Sequence, residues 1–312
     1  MKWYLSNMQL PSPVQQISNF SDQHISLYLK REDLIHPEFG GNKWRKLKYN
    51  LEAFKAGNYK QLITFGGPFS NHIAATASAC RHYNIPCVGV IRGSALDSQN
   101  PTLIKAKAHG MALIPVSREA YKLKMDAQEI QAIIAGYPNS YILPEGGTNA
   151  LAVKGTQEIT EELNNQIPDI DIILTPIGTG GTAAGIINGA KENQFVYVIN
   201  SMKNIELENI LSTLVKVDRM NWQIVHDYHF GGFAKSNAEL IEFINAFTED
   251  YSISLDPVYT SKMMYALRDM LETGQINSGQ KIAAIHTGGI QGITAYNYMQ
   301  LKYKDPLLIK TF

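Results

Sequence analysis

The chain has 312 residues, of which 45% are hydrophobic and 18% are charged, and its 28 basic residues balance 28 acidic ones. A chain of this size is expected to form a globular protein of two lobes. It has no basic cluster and no apolar run of membrane-spanning length, so we expect binding neither to nucleic acid nor to a membrane. No secretory signal is visible, and Cys80 and Cys87 lack metal-ligand spacing, which predicts a cytoplasmic protein with free thiols and no metal site.

In the first half of the chain, short apolar segments alternate with amphipathic ones. Gly57 and Gly110 are typical helix ends, and Asn100-Pro101 is a typical helix start. The pattern predicts strands at 24–29, 62–65, 87–91, 112–116 and 141–143, and helices at 44–57, 70–84, 100–110 and 118–135. The block 46–150 is therefore able to form a small lobe of its own.

The second half repeats this alternation. It predicts strands at 170–174, 195–199, 223–228 and 281–285, and helices at 151–165, 182–190, 205–215, 237–247 and 259–273. Strands that alternate with helices form parallel sheets covered on both faces, so the predicted fold class is α/β. Ligands bind such sheets beyond the carboxyl ends of the strands, where the glycine-rich turns of this chain lie.

The segment Gly40–Leu47 places a lysine, Lys43, at the start of a helix directly after two glycines and an asparagine. The helix dipole and the neighbouring Arg45 and Lys46 are expected to lower the pKa of the Lys43 amine, which must be neutral to attack a carbonyl group. The alternative is an ordinary solvated lysine in a first helical turn.

A second glycine-rich turn joins a strand to a helix at Gly178-Thr179-Gly180-Gly181-Thr182. Free N–H groups, two hydroxyls and a helix start are what a phosphate-binding loop needs. The turn lacks the Gly-Lys-Ser/Thr ending of an ATP-binding loop and the spacing of a dinucleotide fold, so neither ATP nor NAD is favoured. A plain tight turn remains the alternative.

Three further turns carry polar side chains. Ser70-Asn71-His72 follows a strand, and Ser70 is either a helix cap or a ligand contact. His72 has no assignable acidic partner and the sequence has no G-x-S-x-G turn, so nothing supports a serine hydrolase. The segments Glu145–Asn149 and Asp256–Thr260 are either ordinary turns or ligand contacts, and Tyr259 is by default a packed aromatic residue.

A phosphate cradle, an activated lysine and no metal set together indicate pyridoxal 5′-phosphate (PLP) as cofactor. The sequence resembles the fold-type II PLP enzymes related to the tryptophan synthase β subunit, and within them the branch of 1-aminocyclopropane-1-carboxylate (ACC) deaminase and D-cysteine desulfhydrase. Seven motifs in family order carry this resemblance: Lys30–Asp33, Gly40–Leu47, Ser70–His72, Pro144–Asn149, Gly178–Thr182, Asp256–Tyr259 and His286–Gly289.

The resemblance implies a role for each matching residue. Lys43 carries the cofactor and is catalytic; Asn71 binds its ring hydroxyl group; and Tyr259 faces it as a second catalytic residue. Ser70 and His72 bind the substrate, and Ser70 is also a catalytic candidate. The phosphate is held by Lys46 together with Gly178, Thr179, Gly180, Gly181 and Thr182. A homodimer is implied, with a large lobe from 1–47 and 151–312 and a small lobe from 48–150.

Two positions depart from the deaminase pattern. Thr260 stands where ACC deaminase has a glutamate beside the pyridine nitrogen, as in D-cysteine desulfhydrase, and the resemblance implies that Thr260 binds the cofactor. Phe233 stands about where the deaminases have a second tyrosine. A hydroxyl group makes the ring a weaker electron sink than a carboxylate does, which suits elimination of a good leaving group. We therefore expect α,β-elimination on a small amino acid, first D-cysteine, with ACC deaminase as the alternative. A PLP-binding protein with little catalysis is the alternative of another class.

Overall fold

The computed structural model describes residues 8–21, 24–218, 220–303 and 307–311. Its strands are β1 Val14–Ile17, β2 Ser26–Arg31, β3 Gln61–Gly66, β4 Cys87–Arg92, β5 Ala112–Val116, β6 Ser140–Leu143, β7 Ile172–Ile177, β8 Phe195–Asn200, β9 Trp222–Val225 and β10 Lys281–His286. Its helices are α1 Asn42–Ala56, α2 Asn71–His82, α3 Pro101–Ala108, α4 Arg118–Leu123, α5 Gln128–Gly136, α6 Ala150–Gln166, α7 Gly181–Gly189, α8 Leu207–Leu214, α9 Ala238–Tyr251, α10 Thr260–Glu272 and α11 Gln291–Lys302.

The strands form two sheets, one in each lobe. The larger sheet has the order β1-β2-β10-β7-β8-β9, and only its β1–β2 pair is antiparallel. The smaller sheet has the order β5-β4-β3-β6 and is parallel throughout. The predicted α/β class with parallel sheets flanked by helices is confirmed. The exact lobe boundaries, 48–150 against 1–47 and 151–312, stay a prediction.

The last strand, β10, pairs with β2 on one side and with β7 on the other. This insertion brings the turn that follows β10 against the start of α1. The backbone N–H of Asn42 donates to the carbonyl oxygen of Thr287 at 3.0 Å, and a Cβ atom on Gly41 would lie 2.3 Å from that oxygen. Glycine is therefore required at position 41, where φ is +73°.

Helix α1 is fixed on two faces. Its predicted apolar face, Trp44, Leu47, Leu51 and Phe54, is buried in the core it shares with α2. The opposite face packs on α6 so closely that a Cβ atom on Gly155 would meet the α1 backbone 2.0 Å away. The amine of Lys43 therefore projects from a rigid support.

A buried ion cluster also anchors α1. The Arg45 guanidinium donates to Glu32 at 2.8 and 2.9 Å and to Glu162 at 2.7 Å through each of two nitrogens. The Lys30 amine donates to the same Glu162 at 3.2 Å and to Gln166 at 2.7 Å. The cluster thus joins β2, α1 and α6, and it turns Arg45 away from Lys43.

Three elements differ from the sequence prediction. The helix expected at 118–135 is wrong as one element, because Lys124, with φ +53° and ψ −126°, departs from helical backbone geometry and separates α4 from α5. Neither β1, which has only four residues, nor α11 was predicted. The apolar residues of α11 do not repeat on one clear face, which removes the usual periodic signal.

Among the described residues, no helix is long and apolar enough to cross a membrane, and no group of histidine, cysteine, aspartate and glutamate side chains could hold a metal ion. The two cysteines, Cys80 and Cys87, are buried and free. The prediction of two free thiols is confirmed.

Candidate active site

A cavity of about 760 Å³ opens at the carboxyl ends of strands from both sheets. It brings most of the predicted site residues into one wall: Lys43, Lys46, Ser70, Asn71, His72, Gly178, Thr179, Gly180, Thr182, Phe233 and Tyr259. Two predicted residues, Gly181 and Thr260, are not part of this wall. The turns after β3, β6, β7 and β10 supply most of the polar lining, as expected for a parallel sheet.

Lys43 lies on the first turn of α1. Its Nζ donates to Asn42 Oδ1 at 3.0 Å, and the Asn42 amide in turn donates to Thr182 Oγ1 at 2.9 Å. Burial lowers the pKa of Lys43 to about 8, although the Asp256 carboxylate opposes that change. The predicted direction of the pKa change is confirmed, but the expected contribution of Arg45 is wrong because Arg45 is paired with carboxylates in the buried ion cluster.

One turn along the helix, the Lys46 amine contacts only neutral oxygens. It donates to the Gly146 carbonyl at 3.0 Å and to the hydroxyls of Thr148 and Thr179 at 3.1 and 3.3 Å. Within the described part of the chain no carboxylate pairs with it. Burial first, and then the positive charge of Lys43, lower the pKa of Lys46 well below its ordinary value. An anion bound here would supply the missing countercharge.

The turn from β7 to α7 completes this anion cradle. A Cβ atom on Gly181 would lie 3.3 Å from Lys46 Nζ and 3.0 Å from the Thr148 side chain, so the absence of a side chain keeps the space open. Gly180, the residue before α7, has φ +86°, a conformation that glycine adopts readily, and the first N–H groups of α7 follow it directly. Although Gly181 is not a wall residue, it shapes the predicted phosphate site.

Ser70 caps α2. Its Oγ accepts hydrogen bonds from the backbone N–H groups of His72 at 3.2 Å and Ile73 at 3.3 Å. Its hydroxyl proton has no acceptor among the described residues and is available to a ligand in the cavity. The two alternatives of the sequence analysis are therefore compatible, since one hydroxyl group can cap the helix and also donate to a ligand.

The orientation of the His72 ring follows from one neighbour. Thr64 Oγ1 donates to the Leu143 carbonyl at 3.0 Å and lies 2.7 Å from His72 Nε2, so Nε2 must carry the proton. Burial, Lys43 and Lys46 lower the pKa of His72 well below its ordinary value, which keeps the ring neutral. Its buried Nδ1 has no partner in the described structure and offers a lone pair.

Tyr259 lies over the β7–α7 turn, where a Cβ atom on Gly178 would be 3.0 Å from its ring. Burial first, then the carboxylates of Asp256 and Glu145, raise the pKa of its phenol, so the hydroxyl keeps its proton. Tyr259 therefore contributes a neutral donor to the cavity.

The predicted contact of Thr260 with a ligand stays a prediction. Thr260 is fully buried behind the wall. Its hydroxyl donates to Asp256 Oδ2 at 2.7 Å and accepts from the Asp256 N–H at 2.9 Å. Because its one proton is committed to Asp256, Thr260 can offer a neighbouring group only a lone pair.

Phe233 is 47% exposed and lines the cavity within the segment 230–236. A buried amine holds this segment: Lys262 Nζ donates to the carbonyls of Ser201, His229 and Gly232 at 3.0, 2.8 and 2.9 Å. Burial lowers the pKa of Lys262 to about 8. Phe233, the second position that departs from the deaminase pattern, thus lies at the cavity wall.

Several functional contacts were not foreseen from the sequence. The carboxylate of Asp256, the hydroxyl of Thr148 and the amide of Gln291 act on predicted site residues, and the buried amine of Lys262 holds the segment next to Phe233. Asp256 and Thr148 belong to motifs that were singled out, but their partners depend on tertiary contacts. Gln291 follows the last predicted strand, where no element was expected.

The chain is similar along most of its length to proteins of known name. The model of the family described as pyridoxal-phosphate dependent enzyme matches residues 5–288. A protein of Thermotoga maritima provisionally named 1-aminocyclopropane-1-carboxylate deaminase is 32% identical over 305 residues, covering 91% of this chain and 96% of the relative. The mitochondrial bifunctional D-cysteine desulfhydrase/1-aminocyclopropane-1-carboxylate deaminase of Arabidopsis thaliana is 29% identical over 86% of this chain and 73% of its own. A crystal structure of an ACC deaminase homologue has a TM-score of 0.81 and 28% identity, covering 96% of this chain and 95% of that one.

Proposed function

Since the chain belongs to the family of pyridoxal-phosphate dependent enzymes, we propose that it is a deaminating lyase whose substrate is D-cysteine. The reaction takes D-cysteine and water to pyruvate, hydrogen sulfide and ammonia. One observation carries this proposal: the Lys43 amine, with a pKa lowered to about 8, shares a cavity with an anion cradle built on the buried Lys46.

The residues present fit PLP, the cofactor of the family. Lys46 lacks a counterion within the described chain, and Gly181 leaves the cradle open because it has no side chain, which matches a phosphate group. Lys43 lies three residues away on the same helix, which supports the proposal that it holds the cofactor covalently. Asn71 lines the same cavity, which supports the proposal that it binds the ring oxygen.

When bound, PLP withdraws electrons from the α-carbon of an amino acid. The protein supplies the proton transfers. With a pKa of about 8, Lys43 Nζ is neutral in about a tenth of the molecules at pH 7, and the neutral amine can take the α-proton from the substrate. The C–S bond then breaks with its electron pair on sulfur, and the released enamine reacts with water to give pyruvate and ammonia.

Ser70 is proposed to bind the substrate carboxylate. Its hydroxyl proton is free, and it stands at the start of α2, where the helix dipole favours an anion. His72 next to it is proposed to contact the substrate as well, because its neutral ring lines the same cavity.

The choice of elimination over ring opening depends on position 260. An alcohol oxygen holds a proton on a ring nitrogen much less strongly than a carboxylate does, and Thr260 has already donated its own proton to Asp256. A weaker electron sink suffices when the leaving group is a thiolate. Phe233 is exposed and stands about where the deaminases have a tyrosine, so the hydroxyl group of that tyrosine is absent from this chain.

The purified protein, reconstituted with PLP, is expected to release pyruvate and sulfide in equal amounts from D-cysteine and little 2-oxobutyrate from ACC. Assays with D-cysteine, L-cysteine, D-serine and ACC at matched concentrations measure this preference directly. Efficient 2-oxobutyrate formation from ACC without sulfide from D-cysteine would replace the proposal by ACC deaminase. Tight PLP binding without turnover of any amino acid would favour a PLP-binding protein.

Replacing Ser70 by alanine is expected to lower the free energy of unfolding by about 1 kcal/mol, because the α2 cap is lost. It is also expected to reduce kcat/KM for D-cysteine by about 10-fold or more, since a hydrogen bond to a carboxylate contributes about 1.5–3 kcal/mol.

The matched control is Ser117→Ala, because Ser117 caps α4 by accepting from Ala120 N at 3.1 Å and does not line the cavity. Ser117→Ala should show a similar loss of stability with unchanged kinetics. Equal kinetics for Ser70→Ala and wild type would show that Ser70 caps α2 and does not bind the substrate.

A further inference from the structure

The N-terminal end of α11 contacts a residue of the cavity wall. Gln291, the first residue of α11, donates from Nε2 to Asn71 Oδ1. On its other side, Gln291 Oε1 accepts from the buried Thr102 hydroxyl at 3.0 Å. The chain of hydrogen bonds therefore runs from α3 through α11 to the first residue of α2.

The same hydrogen bonds describe how the Asn71 amide is oriented in the structure. The Thr102 hydroxyl donates to Gln291 Oε1, and the Gln291 NH2 group faces Asn71. Asn71 Oδ1 accepts from that group, and the remaining polar group of the side chain, its NH2, is left for the cavity. An amide without such a partner has two nearly equivalent orientations, one of which would present an oxygen to the cavity.

The backbone before α11 holds the same amide in place. A Cβ atom on Gly289, which has φ +85°, would lie 2.6 Å from Asn71 Nδ2, so the amide is packed flat against glycine. A Cβ atom on Gly292 would lie 3.8 Å from Asn71 Oδ1. Asn71 is thus enclosed by α11 and by the turn that leads into it.

Helix α11 also contacts the smaller lobe near its other end. Tyr298 Oη and Lys302 Nζ both donate to Asp97 Oδ2 at 2.8 Å. Asp97 and Thr102 both lie in the segment between β4 and β5, whereas α11 follows the last strand of the larger sheet. The helix therefore bridges the two lobes at both of its ends, and it also lines the cavity through Gly292, Ala295, Tyr296, Met299 and Gln300.

We propose that Gln291 is a positioning residue: it turns the Asn71 NH2 group toward the cofactor, where that group donates to the ring oxygen. The inference rests on the proposed contact of Asn71 with PLP. A ring oxygen with negative charge needs a donor, and an Asn71 amide in the opposite orientation would present a repelling oxygen.

The test measures PLP binding to the apoprotein and the absorption spectrum of the bound cofactor, without turnover. Gln291→Glu removes the donor and supplies an acceptor, so the Asn71 NH2 group turns toward position 291. We expect the Kd for PLP to rise about 10-fold and the absorption maximum to shift. Thr102→Val, which changes no cavity residue, should produce the same shift with a smaller change in Kd.

The control and the double variant separate positioning from general stability. Asp97→Ala breaks the other bridge of α11 and should leave the Kd and spectrum unchanged. In an Asn71→Ala background, Gln291→Glu should change the Kd less than twofold. An equal effect of Gln291→Glu in both backgrounds, or no effect in either, would overturn the positioning role. If Asn71→Ala alone leaves both readouts unchanged, the premise itself, the Asn71 contact with the cofactor, fails.

Discussion

Replacing Lys43 by alanine is expected to reduce turnover of D-cysteine by about 10³-fold or more while the protein stays folded. The amine is assigned both the covalent hold on the cofactor and the transfer of the α-proton, and proton transfer by a positioned side chain alone is worth about 10²–10⁴-fold. Steady-state kinetics with saturating PLP and circular dichroism of the same preparation measure the two parts of this prediction.

Lys55→Ala provides the control for this experiment, because Lys55 is exposed in the last turn of the same helix. It should retain wild-type kinetics. If Lys43→Ala lowers turnover by less than 10-fold, Lys43 is not the base of the reaction, and another residue in the cavity must take the α-proton.

Replacing Lys46 by methionine is expected to raise the Kd for PLP by about 30-fold, because a charge-assisted hydrogen bond contributes about 2 kcal/mol and 1.4 kcal/mol is a factor of ten. The apoprotein should melt within about 4 °C of wild type, since the buried amine has no carboxylate partner among the described residues. Absorbance titration gives the Kd and thermal unfolding of the apoprotein gives the Tm.

The Lys46 prediction also has a pH dependence. The pKa of Lys46 is lowered well below its ordinary value by burial and by Lys43, and a bound phosphate raises it again, so PLP binding takes up a proton. Wild-type affinity should therefore fall as pH rises, and Lys46→Met should flatten that dependence. Lys48→Met is the control, because Lys48 pairs with Glu158 outside the cavity. A wild-type Kd for the Lys46→Met protein would show that Lys46 does not bind the phosphate group of PLP.

The parts of the site that the sequence predicted are those determined locally. Ser70 caps its helix because the first N–H groups of a helix have no backbone partner within it, and a serine just before a helical pattern commonly accepts from them. The Gly178–Thr182 turn follows a buried strand and opens a helix, so its place at a sheet end could be read from the chain alone. The family resemblance added the roles of Asn71 and Tyr259, which remain proposals.

The parts that were missed depend on contacts between distant segments. Arg45 was expected to act on Lys43, but its partners Glu32 and Glu162 are 13 and 117 residues away. The bond between Gln291 and Asn71 joins residues 220 positions apart. Such pairs exist only because β10 inserts between β2 and β7 and carries α11 to the smaller lobe. A predicted homodimer and cytoplasmic location likewise stay predictions.

The central claim, that Lys43 holds PLP at the base of the cavity, is tested most directly by reducing the reconstituted wild-type protein with borohydride and mapping the modified peptide. The account predicts one pyridoxyl group per chain, on Lys43. A label on Lys46, on Lys262 or on any other lysine would contradict the assignment, whatever activity the protein has.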